Sequence, residues 1–153
     1  MAWPNDANSL ITAASRTDLN RVREILAAGV DPTAPSEFRR TALPNAARYA
    51  YNNEANAILI VDALLDAGAD INASTGDQLA PLRHAAIHGY RDLVRHLLSR
   101  GADPNDTDPV GQTIITMIET TPSLRSGKKR IIKMLEEAGG LRSVPNHGSQ
   151  SRS

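Results

Sequence analysis

Four glycines in equivalent surroundings constrain most strongly what this chain can fold into. Each follows a leucine-containing stretch of amphipathic pattern: Gly29, Gly68, Gly101 and Gly139. A glycine directly after such a stretch is typical of a helix end, because glycine adopts the left-handed backbone conformation at little cost. The interval from a glycine to the start of the next apolar segment is always 12 residues: 29 to 41, 68 to 80 and 101 to 113. This constant spacing predicts a chain built from repeated units.

The repeated unit is 33 residues long in its basic form. The step from its first residue to its closing glycine is 21 positions in two copies (8 to 29 and 80 to 101), and the second and fourth copies carry 6 and 5 additional residues. The third copy contains two short apolar faces, the first at Leu82, Ala85 and Ala86 and the second at Leu93, Val94, Leu97 and Leu98. Helices of two or three turns are marginal alone. We therefore expect the copies to stack and to bury these faces against one another.

The third copy begins APLRHAA, close to the pattern T-P-L-H-x-A, and Gly-Ala-Asp recurs at 68–70 and 101–103. With the 33-residue period, these features make the chain resemble ankyrin-repeat proteins. The resemblance implies an all-α solenoid of four helix-turn-helix repeats joined by hairpin-like loops. We predict a repeat domain over 8–141, with a lead-in at 1–7 and a disordered tail at 142–153. The expected repeats are 8–40, 41–79, 80–112 and 113–141.

The additional residues of the second repeat fall near the segment AYNNEANA, between its two helices. They either lengthen the first helix or form a polar loop, and we favour a longer first helix followed by an Asn-rich turn. The additional residues of the fourth repeat fall in TPSLRSGKK. The sequence does not decide whether the segments 50–56 and 120–127 take part in binding.

Composition excludes several classes of function. The formal net charge is zero and the pI is about 6.9, which argues against a general nucleic-acid or anionic-membrane binder. There is no cysteine, so disulfides and thiol chemistry are excluded. The first ten residues lack the basic and apolar regions of a secretory signal, and no stretch is as long as a membrane span. We expect a cytoplasmic monomer that needs no cofactor.

Few residues suggest chemistry at a metal or catalytic site. His84 and His88 lie four residues apart on one predicted helix and could share a metal ion, but no third ligand is evident. We expect instead a buried His84 that hydrogen-bonds Asn45 or the backbone. Gly127 and Lys128 lack the earlier glycine and the preceding strand of a phosphate-binding loop. No serine, histidine and aspartate are placed as a nucleophile with its base, so we predict no enzymatic activity.

The resemblance to ankyrin repeats implies a concave binding face made of loop tips and first helices. The 33-residue register assigns ten candidate partner-binding residues to that face: Phe38, Arg40, Arg48, Tyr49, Asp77, Leu79, Ile87, His88, Val110 and Gln112. Ser15, Arg16, Glu37 and Thr120 are also expected to be exposed there. We predict that Phe38, Arg48, Tyr49 and Ile87 form one exposed strip, with Tyr49 beside His88. The alternative is that Phe38 and Tyr49 only cover the longer second repeat.

Three hypotheses for function follow. The first is a module that binds another protein through the concave face, using the aromatic and arginine side chains that dominate interface energetics. The second is a dedicated inhibitor, such as an immunity protein or antitoxin that blocks a partner enzyme, which a neighbouring toxin gene would favour. The third is a metal-binding or enzymatic protein that uses His84 and His88, for which metal analysis of the purified protein is the direct test.

Overall fold

The computed structural model describes residues 5–74, 79–122 and 127–143. In these ranges the chain forms eight α-helices in four antiparallel pairs, with no β-strand. The helices are α1 (Ala7–Ser15), α2 (Leu19–Ala27), α3 (Ala42–Arg48), α4 (Glu54–Asp66), α5 (Pro81–His88), α6 (Arg91–Ser99), α7 (Ile114–Thr120) and α8 (Lys128–Glu137). The first helices α1, α3, α5 and α7 pack in one row, and the second helices α2, α4, α6 and α8 in another. The prediction of an all-α solenoid is confirmed.

Short polar side chains fix where several helices begin. The Asp6 carboxylate accepts a hydrogen bond from the Ser9 backbone N–H at 2.7 Å and so caps α1. At the start of α5 the cap position is Ala80, which offers no side-chain acceptor, and Pro81 occupies the first turn. Proline is favoured there because its fixed φ suits a helix and its missing N–H would have no partner in the helix.

The core is thin and rich in alanine along the row of first helices. Ala46, Ala47, Ala85 and Ala86 are fully buried, which lets neighbouring first helices pack closely. In α7 the equivalent pair is Ile118 and Glu119, of which the isoleucine is buried and the glutamate is exposed. The second helices contribute larger side chains to the same core: Val22, Ile25, Ile60, Leu64, Leu93, Leu97, Ile131 and Leu135.

The prediction that the additional residues of the second repeat lengthen its first helix is wrong. Helix α3 ends at Arg48, and the extra residues form a 3-10 turn at Ala50–Asn52 and extend the second helix. That second helix, α4, has 13 residues where α6 has 9. Asn53 begins it by accepting a hydrogen bond from the Asn56 N–H at 3.0 Å. The Asn-rich turn itself is found as predicted.

Asparagine side chains of the second repeat fasten it to the first. The Asn45 side-chain amide donates to Ser15 Oγ at 2.7 Å, and that of Asn52 donates to the Ser15 carbonyl at 3.1 Å. Asn56 donates to the Thr17 carbonyl at 3.2 Å. The Asn52 and Asn56 bonds satisfy carbonyls at the end of α1 and in the turn after it, where backbone acceptors lack partners in the helix.

The second repeat also holds the third. Helix α6 has no side-chain cap of its own, and Glu54 Oε1 instead accepts from the N–H groups of Asp92 (3.1 Å) and Leu93 (3.0 Å). A carboxylate at a helix N-terminus is favourable because the N–H groups there carry partial positive charge. The first residue of α4 therefore caps the start of α6.

Near the end of the described chain, Arg142 contacts the fourth repeat. Its carbonyl accepts hydrogen bonds from the hydroxyls of Thr113 (3.2 Å) and Thr116 (2.8 Å), and its guanidinium contacts Glu119 and Glu136. The predicted tail begins at this residue, and its remainder from 144 to 153 lies outside the described residues. Among the described residues, none of the helices has the length and hydrophobicity that a membrane-spanning segment requires.

Candidate functional site

The loop before α3 presents Phe38 to solvent. Ser36 Oγ accepts hydrogen bonds from the N–H groups of Phe38 and Arg40, both at 3.2 Å, and the Ser36 N–H donates to the Arg40 carbonyl at 2.8 Å. Arg39 adopts a positive φ of 58° at the bend. The Phe38 side chain lies at the tip and is 73% exposed. The predicted exposure of Phe38 is therefore confirmed.

The loop before α7 presents Val110 in the same manner. Asp108 Oδ1 accepts from the N–H groups of Val110 (3.0 Å) and Gln112 (2.8 Å), and the Asp108 N–H donates to the Gln112 carbonyl at 3.1 Å. Val110 is 77% exposed and Gln112 is exposed as well. Asp77, the candidate on the intervening loop, lies outside the described residues.

The candidates on the first helices are less exposed than predicted. Arg48, Tyr49 and Ile87 are half-buried, so the strip expected from these residues with Phe38 is fully exposed only at Phe38. Arg40 and Leu79 are also half-buried, whereas His88 is exposed. The Arg48 guanidinium carbon lies 5.8 Å from the centroid of the Tyr49 ring. This distance is within the range of a cation–π contact, which holds the arginine over the ring.

A cluster of aromatic rings occupies the turns between the paired helices. The register predicts that Tyr49 lies beside His88. The ring contacts that the structure gives them are with Tyr51 for Tyr49, and with His84 and Tyr90 for His88. Tyr49 and Tyr51 have ring centroids 5.9 Å apart, and His88 and Tyr90 stack at 5.8 Å with an interplanar angle of 10°. Tyr51 belongs to the segment of additional residues, which an alignment to the basic 33-residue unit leaves without an equivalent.

Sequence analysis missed Tyr51 and Tyr90 as members of this cluster. Tyr51 is 65% exposed, whereas Tyr90 is half-buried. Burial raises the pKa of the Tyr90 phenol, and the nearby Tyr51 and Glu54 side chains raise it further. Tyr90 therefore stays neutral near neutral pH. A feature of the sequence could have identified both residues: each is a tyrosine in the turn between the first and second helix of its repeat.

The two histidines considered as metal ligands differ in burial: His84 is buried and His88 is exposed. His84 is buried as predicted, at 5% exposure, and its ring lies 6.0 Å from that of His88. His88 Nδ1 lies 2.8 Å from the His84 backbone carbonyl, so this nitrogen is engaged as a donor. The Asn45 side-chain amide donates to Ser15 Oγ, and the hydrogen bond of His84 to Asn45 or the backbone stays a prediction. The described part of the chain contains no group of three or more histidine, cysteine, aspartate or glutamate side chains that could hold a metal ion.

The outer row of second helices has a different surface, rich in ion pairs. Asp62 Oδ1 accepts from His96 Nε2 at 2.7 Å and from Arg100 at 2.6 Å, and Arg100 also contacts Asp66 at 3.0 Å. Further pairs join Arg95 with Asp92 and Lys133 with Glu137. Exposed ion pairs of this kind are typical of a solvated surface. Large exposed apolar side chains in the described ranges are instead found mostly at loop tips and turns: Phe38, Tyr51 and Val110, with Leu59 and Leu141 elsewhere.

Comparison with known proteins agrees with this architecture. A family model of ankyrin repeats matches residues 10–108 in three copies, so the α7–α8 pair lies beyond the matched segment. E3 ubiquitin-protein ligase KEG of Arabidopsis thaliana is 32% identical over 132 residues, which cover 85% of this chain and 8% of that protein. The putative ankyrin repeat protein YahD of Escherichia coli (strain K12) is 30% identical over 135 residues, or 88% of this chain and 62% of that protein.

A third relative is the homolog of transient receptor potential cation channel subfamily A member 1 from Caenorhabditis elegans. It is 32% identical over 102 residues, which cover 67% of this chain and 8% of that protein. This chain therefore spans less than two thirds of the length of each of these three relatives.

Proposed function

The chain belongs to the ankyrin-repeat family, and from that premise we propose that it is a binding module whose partner protein docks on the concave face of the solenoid. Ankyrin repeats generally mediate protein–protein interaction, and the family is typically non-enzymatic. The proposed face consists of the loop tips around Phe38 and Val110 and the exposed ends of the first helices.

The observation that supports this proposal best is the separation of surface types between the two sides of the molecule. Phe38 and Val110 are more than two thirds exposed on the loop tips, and Arg48 lies over the ring of Tyr49 at the end of a first helix. Aromatic and arginine side chains dominate the energetics of protein interfaces. The row of second helices carries ion pairs such as Asp62–Arg100 and Lys133–Glu137, in which several of its charged groups are paired with one another.

The same proposal extends to the nature of the partner. With a net charge of zero, the chain has no basic excess to hold nucleic acid or an anionic membrane, so the partner is a protein. We place the module in the cytoplasm as a monomer that needs no cofactor and catalyses no reaction. The arginines on the concave face suit a partner with an acidic rim.

The test is affinity purification with mass spectrometry from the native cells, with the chain as bait and the double variant Arg48→Ala/Tyr49→Ala in parallel. We expect wild type to retain one partner that the variant loses. With the purified partner, the variant should bind at least roughly 30-fold more weakly, as for the loss of a hot spot. Far-UV circular dichroism and the melting midpoint should stay close to wild type.

The matched control is Arg95→Ala/Lys133→Ala on the outer row, which should bind as wild type does. If the Arg48/Tyr49 variant binds normally and only the outer variant fails, the partner uses the second helices and the proposal is wrong. If the partner is an enzyme that loses its activity on binding, the narrower role of a dedicated inhibitor, such as an immunity protein or antitoxin, replaces that of an adaptor.

A further inference from the structure

Two loops that lie two repeats apart are built in the same way. Ser36 and Asp108 both stand five residues before a repeat opens, at Thr41 and Thr113. In each loop the side-chain oxygen of that residue accepts hydrogen bonds from the N–H groups two and four residues further on. Its own N–H donates to the carbonyl of the fourth residue. The bend is completed by a positive φ, 58° at Arg39 and 82° at Gly111.

This construction places Phe38 and Val110 at one equivalent position. Each stands two residues after the locking side chain, with its backbone N–H bonded to that side chain. Both side chains are apolar, and they are the two most exposed large hydrophobic residues of the described chain, at 73% and 77%. A side chain held on an ordered backbone loses little conformational entropy on binding, so a locked tip is suited to be an anchor.

We propose that Phe38 and Val110 are a pair of anchors that engage one partner protein simultaneously, which rests on the function proposed above. The tips are two repeats apart, and helices of neighbouring repeats pack about 8–10 Å apart, so the anchors are separated by roughly 16–20 Å. The proposed partner is a folded protein that offers two apolar recesses at that separation.

The two recesses differ in the charge of their rims. Phe38 stands between Glu37 and Arg39, whereas Val110 stands between Pro109 and Gly111. Arg39 occupies the left-handed conformation that Gly111 adopts without strain in the other loop. Strained backbone positions concentrate at functional sites. To match these neighbours, the partner's recess for Phe38 should have charged groups at its rim, and its recess for Val110 should have none.

The experiment uses a photo-crosslinking amino acid, p-benzoylphenylalanine, placed at position 38 or at position 110 of the full chain in the native cells. Each probe is tested alone and with the other anchor changed to serine, as Val110→Ser or Phe38→Ser. We expect both positions to crosslink the same protein, and the yield at either position to fall about tenfold or more when the other anchor is lost. Leu59→Ser, an exposed apolar residue of α4, is the matched control and should leave both yields unchanged.

Other outcomes separate failure of this inference from failure of the proposed function. If the two tips crosslink different proteins, or if each yield is independent of the other tip, the paired anchors are wrong while the binding module stands. If only a probe at Tyr49 crosslinks, the tips are not anchors but the concave face is still used. If only a probe at Leu59 crosslinks, or none of these probes does, both proposals fail.

The locking residues provide a second test that leaves the anchors in place. Ser36→Ala and Asp108→Ala should each reduce the crosslinking yield several-fold, because the tip loses two hydrogen bonds that order it. Ser36→Asp and Asp108→Ser should restore the yield, since either side chain offers the required oxygen. If alanine variants crosslink as well as wild type, the order of the loop makes no contribution to binding.

Discussion

At the scale of single residues, backbone conformation decides which side chains are tolerated at the helix ends. Gly101 adopts a φ of 90°, and a Cβ added there would meet no atom within 4 Å. A substitution would therefore be opposed by backbone strain alone, without any clash. This separates Gly101 from a buried position, where a larger residue would be opposed mainly by packing.

We expect Gly101→Val to destabilise the protein by about 1–2 kcal/mol or more, since a β-branched residue resists the left-handed conformation. Gly101→Asn should cost less, because asparagine tolerates that conformation. Urea unfolding of the three proteins measures the difference. Equal stability of the valine and asparagine variants would show that strain at this position is not the determinant.

A second prediction at this scale concerns acid pH. The Asp31 carboxylate accepts from the Thr33 hydroxyl at 2.7 Å and the Thr33 N–H at 2.8 Å, and these bonds hold the pKa of Asp31 below its ordinary value of 3.8. A lowered folded-state pKa means that the contribution to stability is present above pH 3.8 and is lost as the pH falls through the lowered value.

Asp31→Asn should therefore lose less stability than wild type as the pH falls from about 4 to 2. Urea midpoints measured across that range give the two acid slopes. Asp6→Asn should behave in the same way, because the Ser9 N–H lowers the pKa of Asp6 by the same kind of bond. If stability falls equally steeply with pH in wild type and in both variants, Asp31 and Asp6 do not contribute to acid sensitivity and the prediction is wrong.

The repeat register predicted the exposure of some candidate residues correctly and of others incorrectly. Phe38 and Val110 are exposed as the register requires, and His84 is buried as expected. Tyr51 escaped prediction because it lies among residues that the basic unit lacks. Arg48 and Tyr49 are half-buried because they stand at the C-terminal end of α3, where the Tyr51 ring also packs against Tyr49.

At the scale of helices, the number and order of elements followed from the spacing of glycines and apolar residues. The division of the additional residues between a turn and the longer α4 did not follow, because either arrangement keeps the same apolar period. The structure resolves that choice through Asn53, which caps α4, and through Ala57 and Ile60, which are buried. Tertiary contacts thus decided what local pattern left open.

The start of α6 gives a prediction at this scale. Glu54→Ala should destabilise the protein by about 0.5–2 kcal/mol, because it removes the acceptor for the first N–H groups of α6. Glu54→Gln should recover most of the loss, since its amide oxygen can accept the same bonds. Chemical denaturation compares the variants, and an alanine variant as stable as wild type would mean that water caps α6 equally well.

At the scale of the whole molecule, polar side chains join neighbouring repeats in addition to the apolar core. Asn52→Ala with Asn56→Ala removes two bonds from the second repeat, one to the last carbonyl of α1 and one to the Thr17 carbonyl after it. In this double variant, the rate of amide hydrogen exchange should increase more in α1 and α2 than in α5 and α6, relative to wild type. Asn20→Ala, at an exposed position of α2, is the control and should leave exchange unchanged. Uniform acceleration along the chain would instead indicate a single cooperative unit.

The locked loops have a consequence for how the protein can change over evolutionary time. The hydrogen bonds that close each loop come from positions 36 and 108 and from the backbone, and none of them comes from the side chain at the tip. Mutations at positions 38 and 110 can therefore accumulate with little effect on folding. A lineage could acquire a new partner by drift at two codons, without a compensating change elsewhere in the solenoid.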